Sequence, residues 1–297
     1  MNKKLKALGM SMILGLFILV GCGTNEENEI VIGGKDFTEQ YILAEMLSLL
    51  ISENTELDTS TELNLGTAVV HGAIESGDVD LSVEYTGTGL MNMGIDIDSV
   101  DSSEEAYAAV SEAYDELGIS WLEPLGFANT YTLTVNQETA QEYNLQNISD
   151  LTEIGAEFSL GAPQGFAERS DGLPGLVEHY GFEFGNTTMM APALMYSALV
   201  EGEVDIIAGF TTDGQVAAYD LTTLDDDKQF FPPYDAAIQI RNETLEAHPE
   251  LEELLNQLAG RLDDAKMAEL NAQVDMDGEE PNAVAREFLL SEGLVEE

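Results

Sequence analysis

The chain has 297 residues and carries 57 Asp plus Glu against 10 Lys plus Arg, a formal net charge of −47 at pH 7. That imbalance argues against nucleic acid and anionic lipid headgroups as partners, while a hydrophobic content of 44% argues against a disordered acidic tail. A single cysteine excludes an internal disulfide, and His71, His179 and His248 have no metal-ligand spacing.

Residues 1–21 read as a targeting segment. Lys3, Lys4 and Lys6 are followed by an apolar stretch from Ala7 to Val20, shorter than the ~20 residues a membrane span needs. Leu19-Val20-Gly21-Cys22 resembles a bacterial lipobox, and residues 22–28 form a polar tether. The resemblance implies a lipid on Cys22 and an extracytoplasmic chain anchored to the cell membrane. Beyond residue 22 there remain 10 − 3 = 7 basic residues, so that part carries 7 − 57 = −50. The acidic residues are scattered, which suits high salt, where screening relieves self-repulsion.

From residue 29 the pattern alternates strand and helix. Residues 29–34 are an apolar run ending in glycines, a strand. Asp36 with Glu39 has capping-box spacing, opening a helix from Phe37 to Glu53 with apolar residues at helical intervals. Residues 61–66 form a strand, 67–76 a helix and 79–85 a strand. Ser102 or Ser103 caps a helix ending at Gly118, and residues 121–136 cross to a second unit. That unit repeats the plan, with strands at 157–162, 187–191 and 204–210 and helices at 172–180 and 192–201. Residues 230–240, with Pro232-Pro233-Tyr234, form the return crossing; helices at 245–258, 262–272 and 281–290 close the chain. Alternation of this kind implies an α/β fold with parallel sheets and helices on both faces, and ligands in such sheets bind beyond the carboxyl ends of the strands.

A duplication supports two similar lobes. Residues 73–89 recur without gaps at 198–214. Ala73, Gly77, Val79, Asp80, Thr86 and Gly89 return as Ala198, Gly202, Val204, Asp205, Thr211 and Gly214, and Tyr85 returns as Phe210. Each copy delivers a ring and a hydroxyl to a strand end.

Two of the seven basic residues, Lys35 and Arg169, follow the first strand of each half. Facing each other across a cleft, they would hold an anion, the arginine with a planar fork. Tyr85 and Phe210 end the duplicated strands, and Tyr131 and Tyr234 sit in the two crossings. Aromatic faces around a cation without N–H donors hold quaternary ammonium groups, each ring contributing roughly 0.5–2 kcal/mol. Together these residues describe a site for a zwitterion.

Gly34-Lys35-Asp36-Phe37-Thr38-Glu39-Gln40, Glu84-Tyr85-Thr86-Gly87-Thr88-Gly89, Phe166-Ala167-Glu168-Arg169-Ser170-Asp171-Gly172 and Phe231-Pro232-Pro233-Tyr234 resemble the substrate-binding proteins of ABC importers for glycine betaine, choline and related osmoprotectants. The resemblance covers almost the whole chain after the tether. It implies the type II periplasmic-binding-protein fold: two α/β lobes, a ligand cleft between them and a two-strand hinge. Lobe 1 would comprise residues 29–128 and 236–297, and lobe 2 residues 129–235. It also implies a cation cage of Tyr85, Tyr131, Phe210 and Tyr234, and a carboxylate clamp of Lys35, Thr88 and Arg169. Phe210 departs from the tyrosine usual there. Asn129 would add a backbone carbonyl to the cation.

The expected function is thus capture of glycine betaine or a related quaternary-ammonium solute by a monomer and its transfer to a membrane permease, with no cofactor, no metal and no catalysis. Choline, carnitine, proline betaine or an ordinary amino acid are the alternative ligands. Choline lacks a carboxylate and would leave Lys35 and Arg169 unpaired, so a carboxylated ligand is favoured. A hydrolase using Glu84 and Asp213 lacks a nucleophile–base pair. A sensor domain signalling to a membrane partner is the third class.

Overall fold

The structure is a computed structural model that describes residues 28–96, 99–100 and 102–296. The targeting segment, Cys22 and most of the tether lie outside the described residues. Among the described residues, no helix is long and apolar enough to cross a membrane.

The first lobe is built from β1 (Glu29–Lys35), α1 (Thr38–Asn54), β2 (Asp58–Leu65), α2 (Thr67–Ser76), β3 (Leu81–Tyr85), α3 (Thr86–Asn92), α4 (Ser103–Asp115) and β4 (Ile119–Trp121). The chain then crosses to the second lobe. There it forms β5 (Tyr131–Asn136), α5 (Gln137–Tyr143), β6 (Ser159–Ala162), α6 (Gln164–Glu168), α7 (Leu173–Tyr180), β7 (Asn186–Met189), α8 (Pro192–Val200), β8 (Ile206–Phe210), α9 (Gln215–Ala218) and β9 (Leu221–Leu224). It returns through β10 (Ala236–Arg241) and ends in α10 (Asn242–Ala247), α11 (Glu250–Leu255), α12 (Asp264–Asp275) and α13 (Pro281–Glu292).

The strand orders are β2-β1-β3-β10-β4 and β7-β6-β8-β5-β9. Within each sheet three strands run parallel, as the helical connections require. The fourth, β10 or β5, is antiparallel to both its neighbours. The sheets are therefore mixed rather than parallel as alternation alone implies. The physical reason is the crossing: a chain arriving from the other lobe enters at the cleft and runs back through the sheet. The two crossings also pair with each other. Ala128 and Asp235 form an antiparallel bridge, Asn129 N–H donates to Tyr234 O at 3.1 Å and Ala236 N–H to Phe127 O at 3.0 Å. They form a two-strand hinge.

The duplicated residues do equivalent work in both sheets. Asp80 accepts from Val31 N–H at 2.8 Å and Asp205 from Ser159 N–H at 2.8 Å, so each ties the start of a third strand to its neighbour. Gly77 and Gly202 take φ of 87° and 72° to end α2 and α8, a conformation that favours glycine. The hydroxyl of Thr86 donates to Pro233 O at 2.9 Å and accepts from Asp235 N–H at 3.1 Å. That of Thr211 donates to Ala128 O at 3.0 Å and accepts from Thr130 N–H at 3.1 Å. These hydroxyls pin the hinge. They are not delivered to the cleft as the repeat suggests.

Each lobe has its own core, and Tyr131 and Phe231 pack against both. In the first, α1 buries Ile42, Leu43, Met46, Leu47, Leu50 and Ile51. It lies between the β1–β2 edge and helices α11, α12 and α13, so it is apolar nearly all round. Each such side chain contributes roughly 1.5–3 kcal/mol. The expected helix over residues 245–258 is broken into α10, α11 and a 3-10 turn, Asn256–Leu258. The break falls at His248-Pro249, where proline disfavours helical geometry in the preceding residue.

Candidate ligand site between the lobes

The rings converge where the hinge meets both sheets. Tyr131 opens β5 opposite Phe210, the last residue of β8, which places their ring centres 4.7 Å apart. Tyr234 stands edge-on to Tyr131 at 5.9 Å. Tyr234 reaches this position because residue 87 is glycine: a Cβ there would lie 2.6 Å from the Tyr234 ring. Tyr85 joins the group through Phe37, whose ring stacks on Tyr85 at 6.5 Å and on Phe210 of the other lobe at 5.8 Å. Tyr85 and Tyr234 are buried, whereas Phe37, Tyr131 and Phe210 keep partial exposure at the cleft. Burial pushes the Tyr131 hydroxyl up to about 12, Arg169 opposing it, and raises those of Tyr85 and Tyr234 well above the usual range. These three tyrosines are therefore neutral phenols at ordinary pH.

Both expected cations arrive, and each brings its own carboxylate. Lys35, the last residue of β1, is buried and pairs with Glu84 of β3; its ammonium lies 4.9 Å from the centre of the Tyr85 ring. Burial lowers its pKa, Glu84 works against that, and Arg169 is near enough to add to the lowering. Arg169 caps α6 and forks onto Asp171, with Nε donating to Oδ1 at 2.8 Å and a second nitrogen to Oδ2. Burial works against its charge, but the hydrogen bonds to Asp171 more than restore it and leave its pKa raised. Tyr234 O–H donates to the same Asp171 at 2.7 Å. The premise that a ligand without a carboxylate leaves Lys35 and Arg169 unpaired is therefore corrected. The sheet places Glu84 beside one, and a turn of two residues places Asp171 beside the other. Thr88 is buried in α3, and neither ion pair includes it.

Residues 28–291 match the family described as the substrate binding domain of the ABC-type glycine betaine transport system. The chain belongs to this family. The carnitine transport binding protein OpuCC of Listeria monocytogenes is 37% identical to it over 97% of both chains. The glycine-betaine-binding protein of Pseudomonas aeruginosa is 34% identical over 100% of this chain and 97% of its own. A crystal structure of a glycine betaine/carnitine/choline ABC transporter superimposes with a TM-score of 0.74 at 36% identity, covering 89% of this chain and 99% of that one. The fold is the type II periplasmic-binding-protein fold of these neighbours.

Several residues of the candidate site escape the sequence reading. Phe37 is not the first core residue of α1 but its N-cap, with its ring in the cleft. Asp36 and Glu39 do not form a capping box, because no side chain caps this helix. Glu39 is instead buried and accepts from Tyr85 O–H at 2.5 Å, Asn129 Nδ2 at 2.8 Å, Thr212 O–H at 2.6 Å and Asn271 Nδ2 at 3.3 Å. Asn129 spends its side-chain amide on this Glu39 and on the Thr212 hydroxyl at 3.0 Å. Beside the rings lies a cavity of 70 Å³ bounded by Asp36, Phe37, Glu39, Phe210, Asp213 and Asp275, among others. Tyr85, Tyr131 and Tyr234 do not line it.

Proposed function

We propose that this protein captures glycine betaine or a related quaternary-ammonium compatible solute between its lobes and hands it to an ABC permease for import. The observation that carries the reading is the meeting of Tyr131, Phe210 and Tyr234 at 4.7 and 5.9 Å on the hinge, with Tyr85 joined through Phe37. Aromatic faces of this number attract a cation that has no N–H donors of its own. In this reading Tyr85, Tyr131, Phe210 and Tyr234 cage the ammonium, and Lys35, Arg169 and Thr88 receive the carboxylate. Lobe 1 is residues 29–128 with 236–297, and lobe 2 is 129–235. A lipid on Cys22 holds the monomeric chain outside the cell membrane. The role is binding, not catalysis, in keeping with a family of transport proteins.

A second ligand, choline, is favoured by one observation. Glu84 and Asp171 already neutralise the two cations, so a ligand that ends in a hydroxyl leaves no lone buried charge. The relatives named for carnitine and glycine betaine support a carboxylated ligand first. Calorimetric titration of the chain from residue 28 with glycine betaine, carnitine, choline and proline tests the reading. Heat with the methylated ammonium compounds and none with proline is the expected result. Heat with proline alone overturns the cage.

A further inference from the structure

We infer that Glu39 is a positioning residue that couples the Tyr85 ring to the docking of the two lobes. The four groups that donate to its carboxylate come from four different parts of the fold. Tyr85 belongs to β3 of the first lobe, Asn129 to the hinge, Thr212 to the turn after β8 in the second lobe, and Asn271 to α12. Both oxygens are engaged: Tyr85 and Asn129 reach Oε1, and Thr212 and Asn271 reach Oε2. Thr212 is held from three sides, since Asn129 Nδ2 also donates to its hydroxyl at 3.0 Å and Asn271 Nδ2 to its carbonyl at 2.9 Å. All five residues are buried.

A buried carboxylate must be compensated by donors, and the cost of an unmade bond to a charged group exceeds the gain from a neutral one. Here the set is complete only while the second lobe supplies Thr212. When the lobes part, water replaces that hydroxyl and competes for the carboxylate that fixes Tyr85. When they dock, the Glu39–Tyr85 bond is sealed. That bond also acts on the ring. A phenol donating to a carboxylate gains electron density, which deepens the negative face a cation meets. The neighbouring Phe37 makes the apolar part of the same contact by stacking on Phe210 across the cleft at 5.8 Å. The N-terminal turn of α1 thus senses both the cage and the opposite lobe.

The ligand arm of the test rests on the binding reading above; the distance arm does not. Dyes on one exposed position of each lobe report interlobe separation in the ligand-free chain, and stopped-flow mixing with glycine betaine gives association and dissociation rates. Glu39→Gln and Thr212→Val should each widen the ligand-free separation and raise the dissociation rate roughly tenfold or more, with association little changed. The double variant should be no worse than the more affected single one, because both remove one coupled contact. Thr212→Ser, which keeps the hydroxyl, should restore wild-type values. Unchanged separation, additive losses in the double variant, or failure of serine to restore overturns the inference. Should Glu39→Gln fail to fold, Thr212→Val and Thr212→Ser carry the same test. A wild-type chain that binds neither glycine betaine, carnitine nor choline overturns the binding reading, and the separation still decides this one.

Discussion

Lys35 and Glu84 form an ion pair inside the first lobe, joining the ends of two strands separated in sequence by α1, β2 and α2. Side-chain exposures of 4% and 0% leave neither partner solvated. Removing one partner of such a pair strands a charge, which costs about 3–5 kcal/mol, whereas replacing both with apolar groups costs far less. Glu84→Gln should therefore lower the unfolding free energy by that order in urea titrations, and Lys35→Met with Glu84→Leu should lower it less. In the chain that still folds, Lys35 of Glu84→Gln has no carboxylate of its own. The ratio of glycine betaine to choline affinity should rise, and an unchanged ratio would remove Lys35 from the carboxylate clamp.

The proposed cage gains a fifth ring, Phe37, that the four expected residues omit. This ring bridges Tyr85 and Phe210 and keeps partial exposure at the cleft. Phe37→Ala should weaken every quaternary-ammonium ligand by roughly 0.5–2 kcal/mol, read by calorimetry. Phe37→Leu, which keeps apolar volume and loses the π face, should weaken them nearly as much. Full affinity in the leucine variant would reduce Phe37 to packing.

Much of this arrangement is legible in the sequence, and the limits have a physical cause. The repeat at 73–89 and 198–214 exposes the two lobes, because its aspartates and helix-ending glycines do the same local work in each lobe, while its threonines pin the hinge between them. Lys35, Arg169, Tyr131 and Tyr234 stand out because basic residues are rare and rings at strand ends and crossings have a position to argue from. Glu39 does not stand out. Its spacing from Asp36 mimics a local cap, while its bond to Thr212 spans 173 residues and depends on how the lobes meet. Glu84 and Asp171 are hidden for a related reason: in a chain with 57 acidic residues, no composition signal marks the two that neutralise the cleft cations.

Gly87 sets the seat of Tyr234. An added Cβ would lie 2.6 Å from the ring and 2.9 Å from Pro233 O, which is backbone and cannot swing aside. Gly87→Ala should displace Tyr234 and break its 2.7 Å bond to Asp171. Overpacking of this kind costs about 1–3 kcal/mol. Both a lower denaturation midpoint and weaker ligand binding are expected. Tyr234→Phe separates the two effects, since it removes the bond to Asp171 while leaving the ring seated.

Asp213 gives the fold a pH dependence with a defined sign. It occupies the place of Thr88 in the second copy of the repeat, and its Oδ2 accepts from Tyr196 O–H at 2.7 Å and Phe210 N–H at 2.9 Å. Burial pushes its carboxyl up to about 7, the two hydrogen bonds pull against that, and Glu39 and Asp275 nearby add to the rise. A carboxyl whose pKa is higher in the folded than in the unfolded chain binds its proton more tightly when folded. Its contribution to stability is fully present below the unfolded value of ~3.9 and is lost as pH rises through about 7. Asp213→Asn keeps an acceptor for Tyr196 and Phe210 and removes the titration. The melting temperature of the wild-type chain should therefore fall more steeply from pH 4 to 7.5 than that of Asp213→Asn. Taking the full shift from ~3.9 to about 7, the difference should approach about 4 kcal/mol at the upper end. Subtracting the two profiles removes the general relief of negative charge on acidification, which both chains share. Parallel profiles would mean that Asp213 is ionised in the folded chain throughout this range.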